Sequence, residues 1–150
     1  MNKRIKEYRL LFKGKRDGFE SKDFHSKCDN KSYTVSFVKS KEGRRFGGFT
    51  DVKWDQSGSW KKGSNGFIFS LDNNEIYYNK DSNYNIYCHS NYGPTFGGGH
   101  DFYISDYCDK NNKSFDCSGD SYDTKGKKYA LAGTRNFYVE DYEVYKIELE

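Results

Sequence analysis

The sequence predicts a β-rich domain with a few short helices, and three observations support that prediction. Turn-forming residues occur along the whole chain, and the apolar runs between them are short and strand-like. Aromatic residues make up 19% of the chain, with 14 Tyr and 12 Phe, so rings can fill a core although the mean hydropathy is only −1.07. A chain of 150 residues is most simply one domain, and it needs no metal or disulfide to fold.

The N-terminal half contains three predicted strands and one helix. Residues 16–18 form a turn, and Ser21 caps a short helix that runs to about Cys28. Gly47 and Gly48 fall inside a predicted strand, which indicates a bulge or a close crossing of another backbone segment. The predicted strands of this half are residues 5–13, 33–38 and 45–50.

The C-terminal half begins with a long loop over residues 51–66. The stretch 66–71 is the most apolar of the chain and is predicted to be a central strand. Residues 108–128 are polar and contain glycine, so we expect them to be the most flexible region. A bulge or strand break is expected near Asp141. The other predicted segments of the sheets are 75–78, 85–89, 102–105, 129–132 and 137–147.

The charges are nearly balanced and scattered. There are 25 basic and 22 acidic residues, and a nucleic-acid binder would more often concentrate its basic residues in one stripe. No apolar run approaches the roughly 20 residues that span a bilayer, and no apolar segment follows the basic start of the chain. We therefore expect a cytoplasmic protein that does not insert into a membrane. Its cysteines are then expected to be free thiols: Cys28, Cys88, Cys108 and Cys117.

The most informative stretch is the glycine run Gly97, Gly98 and Gly99, followed by His100 and Asp101. Three successive glycines indicate a bulge, a sharp strand entry or a close backbone approach. The run lacks the GK[ST] ending of a phosphate-binding loop, and no predicted helix follows it. A structural role is therefore favoured over a phosphate site.

The histidines and cysteines do not have the spacing of a metal site. Cys88 and His89 are adjacent on a predicted strand, so their side chains point to opposite faces and cannot readily bind one ion. The other candidate ligands are His25 and Cys28 on the short helix and His100 after the glycines. We expect no metal and no cofactor.

An acyl-transfer site is also disfavoured. Ser121 follows a glycine and an aspartate, but the chain has no GxSxG motif around it. His100 and Asp101 are adjacent, which is poor geometry for a histidine and the carboxylate that orients it. We therefore predict no catalytic residue and no enzymatic activity.

Two other functions stay open from the residues alone. Cys28 lies near Lys27 and Lys31, so a thiol-based redox scavenger is one alternative. A carbohydrate-binding sandwich is the other, because exposed rings can stack on sugars or bases. The rings considered for such a face are Trp54, Trp60, Tyr77, Tyr78 and Tyr92.

Several segments, taken in order, resemble one family. They are residues 10–19, 22–29 and 40–50, Trp54, residues 67–71, the glycine run, and residues 140–145. In this order they resemble the TLDc domain, the oxidation-resistance type of domain, over about residues 8–147. The resemblance implies a two-layer antiparallel β-sandwich in a single domain over residues 1–150, with no established catalytic residues.

The resemblance also implies a function. Animal relatives are linked to resistance to oxidative damage and bind the vacuolar proton pump, so a protein partner such as a subunit of the vacuolar ATPase is expected. The sequence departs from the animal pattern at His100 and Asp101, and at Tyr145 where Trp is usual, and we regard it as a protist-like member. The residues expected to be structural or partner-binding are Gly97, Gly98, Gly99, His100, Asp101, Glu140 and Asp141.

Overall fold

The computed structural model describes residues 3–150, which fold into twelve strands, two short α-helices and one 3-10 turn. The N-terminal elements are β1 (Ile5–Lys13), α1 (Gly14–Asp17), α2 (Ser21–Cys28), β2 (Thr34–Ser40), β3 (Arg45–Thr50), β4 (Ser59–Lys61), β5 (Gly66–Ser70) and β6 (Glu75–Tyr78). A 3-10 turn (Ser82–Tyr84) then precedes β7 (Ile86–Cys88), β8 (Tyr92–Phe96), β9 (Phe102–Ser105), β10 (Ser114–Asp116), β11 (Asn136–Phe137) and β12 (Val139–Leu149).

The strands form two antiparallel six-stranded sheets that pack on each other, so the predicted β-sandwich is confirmed. The first sheet has the order β1-β12-β2-β3-β5-β6, and the second has the order β11-β10-β9-β8-β7-β4. The long strand β12 lies between β1 and β2, with a register shift between Val139 and Asp141. That shift confirms the irregularity predicted near Asp141.

Aromatic rings from both sheets fill the core. Phe46 of β3 lies 5.7 Å from Phe102 of β9 and 5.4 Å from Phe137 of β11, centroid to centroid. Trp54 lies 5.3 Å from Phe24 of α2 and 5.7 Å from Phe96 of β8. These distances lie in the range of favourable edge-to-face contacts, so rings join the sheets and α2 into one core.

The two glycines of β3 permit close approach on both faces of the strand. A Cβ on Gly47 would lie 1.8 Å from the carbonyl oxygen of Ser36 on β2, and one on Gly48 would lie 2.7 Å from the ring of Phe96. The β2–β3 ladder keeps a continuous register. The glycines therefore mark a close approach and not the alternative bulge.

The N-cap of helix α2 lies one residue earlier than the sequence predicted. Glu20, not Ser21, is the N-cap, and it exchanges hydrogen bonds with the backbone and side chain of Asp23. Phe24 and Cys28 share the buried face, as predicted. His25 fixes the helix to the second sheet, because its Nε2 lies 2.8 Å from the carbonyl oxygen of His89 and 2.9 Å from that of Tyr92.

Several short elements differ from the prediction. The predicted turn at 16–18 is largely helical, since α1 covers Gly14–Asp17. Strand β4 lies in the predicted loop 51–66, and β10 lies in the segment expected to be flexible. Residues 129–132 form a turn and not a strand, because the N–H groups of Leu131 and Ala132 each donate to the carboxylate of Asp116 at 2.9 Å. No helix in the described part of the chain is long and apolar enough to cross a membrane.

Candidate functional site

The glycine run forms the turn that joins β8 to β9. Gly97 has a φ of +91°, and a Cβ there would lie 1.9 Å from Oδ1 of Asp101, so the position requires glycine. The N–H of Gly98 donates to Oγ of Ser121 and that of Gly99 to Oδ2 of Asp120, both at 2.8 Å. The loop amides are therefore used to hold the segment that follows β10, which supports a structural role.

Asp101 is a buried carboxylate that holds the same segment. It accepts hydrogen bonds from the N–H groups of Gly119 at 3.1 Å, Ser121 at 3.0 Å and Tyr122 at 3.0 Å. Burial raises the pKa of Asp101 to about 6, while these three donors act in the opposite direction. The carboxylate of Asp101 therefore faces backbone amides. The side chain of His100, the preceding residue, lies in a different environment.

His100 faces the outer surface of the second sheet. Its backbone is left-handed, with a φ of +55°, and its ring lies 4.9 Å from that of Tyr87. Burial lowers the pKa of His100, so the imidazole is neutral at pH 7. Its Nδ1 is buried and has no hydrogen-bond partner among residues 3–150.

Ser121, the candidate acyl-transfer nucleophile, is only 3% exposed. Its Oγ accepts from Gly98 and lies 3.3 Å from a carboxylate oxygen of Asp120. Within residues 3–150, no histidine is hydrogen-bonded to Ser121, and no group of three or more His, Cys, Asp or Glu side chains has the arrangement of a metal site. The hydrogen bonds of Ser121 therefore hold its loop against the glycine run.

The two acids at the start of β12 lie on the other sheet. Oδ2 of Asp141 is 2.7 Å from Nζ of Lys13, and its Oδ1 accepts from the N–H of Lys15 at 3.0 Å. Glu140 is 3.2 Å from Nζ of Lys39. The structure therefore does not bring the predicted site residues together: residues 97–101 connect strands of the second sheet, whereas these acids belong to the first.

The acids lie at one end of an uncovered apolar surface on the outer face of the first sheet. Two adjoining depressions of about 670 Å³ and 730 Å³ share Ile5, Val35 and Ile147. Glu140 and Asp141 line the first of them. We call this surface the apolar groove and define it by Ile5, Tyr8, Val35, Phe37, Tyr145 and Ile147.

A continuous layer of rings covers the sheet along the groove. Phe37 lies 5.8 Å from Tyr145 and 5.4 Å from Phe69, and Tyr145 lies 6.0 Å from Tyr8. The edge of the layer is open to solvent, since Tyr8 is 73% exposed on β1 and Tyr78 is 64% exposed on β6. These rings are therefore available for contact with another molecule.

The rings considered for a sugar- or base-binding face are not on one surface. Trp54 and Tyr77 are each 1% exposed and belong to the core, where Trp54 donates to Oγ1 of Thr34 at 2.9 Å. Tyr78 lies beside the apolar groove, whereas Trp60 and Tyr92 lie on the outer face of the second sheet. The prediction that these five rings could form one binding face is therefore wrong.

The four cysteines are free thiols, and three of them are buried. Burial raises the pKa of Cys88 to about 12, and it raises the pKa of Cys28 and Cys108 still further above the ordinary value. Little thiolate forms at these three positions near neutral pH, which argues against the redox role considered for Cys28. Cys117 is partly exposed, and its Sγ lies 2.8 Å from Nη1 of Arg135.

A comparison with family models gives the context for this geometry. The TLDc domain model matches residues 1–148 of the 150-residue chain. The chain belongs to the TLDc domain family. No curated protein gives a significant match to this TLDc domain.

In this TLDc domain, the glycine run and Asp101 are used to join the β8–β9 turn to the segment after β10.

The apolar groove was not predicted from the sequence, although the sequence contains a signal for it. In β2 the residues that point into the sandwich include Thr34 and Ser36, while Val35 and Phe37 point outward. A strand with larger apolar residues on its outer face than on its inner face indicates a second apolar surface.

Proposed function

We propose that this TLDc domain is a non-enzymatic regulatory module that binds a protein partner through the apolar groove. The observation that supports the proposal is the uncovered layer of rings on the first sheet, which ends at Glu140 and Asp141. Large exposed apolar patches with polar rims are typical of interaction sites. TLDc domains are generally non-catalytic regulatory domains, which agrees with this role.

The shape of the surface favours an amphipathic helix as the part of the partner that binds. Six strands about 4.8 Å apart give a face roughly 24 Å wide, and a helix with its side chains is about 10–12 Å across. The strands of this sheet average seven residues, about 24 Å, so the face offers roughly 600 Å², less than the roughly 800 Å² per partner of a stable interface between two folded proteins. A helix fits within the groove, whereas a second copy of this chain would need further contacts.

The charged residues at the end of the groove would orient that helix. Lys39 pairs with Glu140, and Lys13 with Asp141, so both signs of charge occur there. Asp141 and then Glu143 raise the pKa of Lys13, because their hydrogen bonds stabilise the charged ammonium group. Charges at an interface rim contribute more to orientation and association rate than to affinity.

The family resemblance supports a more specific proposal. The partner is a subunit of the vacuolar proton-pumping ATPase, the contact is made in the cytoplasm, and it links the protein to resistance to oxidative damage. Residues 1–150 act as one domain in this role, with a core over about residues 8–147. The groove is the surface on which we place the contact.

Binding to the purified soluble sector of the vacuolar ATPase tests the proposal. The chain is immobilised and the sector is applied in solution, with the response measured by biolayer interferometry. The groove variant combines Ile5→Ser with Tyr8→Ser, at side chains that are 58% and 73% exposed. The matched control is Trp60→Ala, which removes an exposed ring, 46% accessible, from the opposite sheet.

We expect the wild-type chain and the Trp60 variant to bind equally. The groove variant should bind at least about tenfold more weakly, a loss of about 1.4 kcal/mol, because two apolar contacts are removed. Absence of binding by the wild-type chain would overturn the assignment of the pump as partner. Equal binding by the groove variant would overturn the assignment of the groove.

A further inference from the structure

A second uncovered aromatic surface lies on the outer face of the second sheet, on the opposite side of the sandwich from the groove. It combines side chains from β4, β7, β8, β9 and β10 with the histidine of the glycine loop. We call it the aromatic platform and define it by Trp60, Tyr87, Tyr92, His100, Tyr103 and Phe115.

His100 is at the centre of the platform. Its ring centroid lies 4.9 Å from that of Tyr87, 5.8 Å from that of Tyr92 and 6.2 Å from that of Trp60. It also lies 6.3 Å from both Tyr103 and Phe115. The left-handed backbone at His100, with a φ of +55°, is uncommon for a residue with a side chain.

The platform carries hydroxyl groups that make no side-chain hydrogen bond within residues 3–150. Within residues 3–150, the hydroxyls of Tyr87, Tyr92 and Tyr103 take part in none of the side-chain hydrogen bonds, which use the hydroxyls of Tyr107, Tyr122 and Tyr145. Burial raises the pKa of Tyr103 to about 12, so its phenol stays protonated and can donate. Flat apolar rings are thus combined with free donors and acceptors on one surface.

The charged groups near these rings are of both signs, since Asp106 lies near Tyr103 and Asp120 accepts from the N–H of Gly99 beside His100. Arg135 lies over the ring of Phe115 at 5.3 Å, and Lys61, next to Trp60, is paired with Asp55. Burial also lowers the pKa of His100, so the central imidazole adds no positive charge at pH 7. A surface that binds single-stranded nucleic acid requires a basic groove along the phosphates. The chemistry here fits a neutral ligand better.

We propose that the aromatic platform binds a neutral oligosaccharide. A pyranose ring has an apolar face of C–H groups and a rim of hydroxyls, and these match the ring faces and the free phenols respectively. Trp60, the most exposed ring, stacks on one sugar. The hydroxyls of Tyr87, Tyr92 and Tyr103 hydrogen-bond the hydroxyls of the sugar. This site is independent of the groove and of any protein partner.

A glycan array followed by titration tests the proposal. The array is probed with the labelled chain, and neutral hexose oligomers (cellohexaose, maltohexaose and mannohexaose) are then titrated by isothermal titration calorimetry, which measures the affinity of every variant in the same way. In the proteins that keep Trp60, tryptophan emission is a second readout, because Trp60 is 46% exposed and Trp54 only 1%. Single-stranded polyuridylate is titrated in parallel as the nucleic-acid probe.

Two variants of the platform are compared with one from the other face. Trp60→Ala removes the exposed ring, and His100→Asn removes the central ring while keeping a residue that tolerates a left-handed backbone. Tyr8→Ser, in the groove, is the matched control. Thermal unfolding of each variant confirms that the fold is kept.

We expect at least one neutral oligosaccharide to bind, and each platform variant to bind about tenfold more weakly or worse, because one stacked ring contributes a factor of that size. The groove variant should bind like the wild type. Silence across the array, or binding that survives both platform variants, would overturn the proposal. Binding of polyuridylate that falls steeply with salt, with no sugar bound, would identify the ligand as nucleic acid instead.

Discussion

Gly97 and Asp101 show how single residues hold the β8–β9 turn against the rest of the second sheet. The sequence indicated that the glycine run was structural, and the close contact between Gly97 and Asp101 gives the reason. The partners of Asp101 were not predictable, because Gly119, Ser121 and Tyr122 lie in a polar segment without any periodic pattern. Hydrogen bonds from side chains to distant backbone amides leave no such pattern in a sequence.

Replacing Gly97 by alanine tests the contact with Asp101. Gly43 is the matched control, because its φ of +93° is nearly that of Gly97, +91°, and nothing lies within 4 Å of its hypothetical Cβ. We expect Gly43→Ala to cost about 1–2 kcal/mol of the free energy of unfolding, from backbone strain alone. Gly97→Ala should cost about 3 kcal/mol or more, because the methyl group also meets the carboxylate. Equal losses in denaturant unfolding would show that the contact has no energetic role.

The burial of Asp101 predicts how stability depends on pH. Its pKa is raised from 3.8 to about 6, so the folded state binds a proton more tightly than the unfolded state does. The stabilisation from this group is present below about pH 4 and is lost as the pH rises through about 6, a change of about 3 kcal/mol at most.

Asp101→Asn removes that titration and serves as the comparison. The unfolding free energies of both proteins are measured by urea denaturation between pH 4 and pH 7.5. We expect the wild type to lose stability relative to the variant across this range. A constant difference between the two proteins would contradict the raised pKa.

Thiol reactivity should follow exposure. Cys117 is partly exposed, whereas Cys28, Cys88 and Cys108 are buried with raised pKa values. We expect Ellman's reagent at pH 8 to label one thiol rapidly and the other three only on unfolding, and Cys117→Ser to abolish the rapid phase. Rapid labelling of Cys28, or peroxide consumption that is lost in a Cys28→Ser variant, would restore the redox scavenger as a function.

Among the elements, prediction succeeded where a strand or helix has its own periodic pattern. The predicted strands 5–13 and 45–50 and the helix from residue 21 match β1, β3 and α2. It failed for β4, β8 and β10, which have three to five residues each. Strand β8 contains Gly93 and Pro94, residues that usually indicate a turn, and its position is set by pairing with β9.

His25 makes the side-chain hydrogen bonds that join α2 to the loop between β7 and β8. His25 is 3% exposed, and its Nδ1 lies 2.6 Å from Oδ1 of Asp29 while its Nε2 meets two backbone carbonyls. We expect His25→Leu to cost about 2–4 kcal/mol, because buried acceptors lose their donor. Ser26→Ala, at the exposed neighbouring position, should leave stability unchanged. Hydrogen exchange in α2 checks the prediction, and equal protection in both variants would contradict it.

At the scale of the whole molecule, the sandwich presents two aromatic surfaces that face in opposite directions. The fold was predictable, because turns, alternating runs and an ordered set of family segments all indicated a two-layer sandwich. The distribution of the aromatic rings between the core and the outer faces was not predictable. Trp54 belongs to the core and Trp60 to an outer face, although both lie in the same predicted loop. Which face a ring occupies depends on the pairing of distant strands, as with Trp60 opposite Tyr87.

The pairing of β1 with β12 places the two ends of the described chain side by side. Ile5 lies opposite Leu149, and the N–H of Glu150 donates to the carbonyl oxygen of Arg4 at 3.0 Å. Ile5 and Leu149 also line the second depression of the groove. A tag or fusion protein attached at either terminus would consequently emerge at the mouth of that depression and compete with whatever docks there.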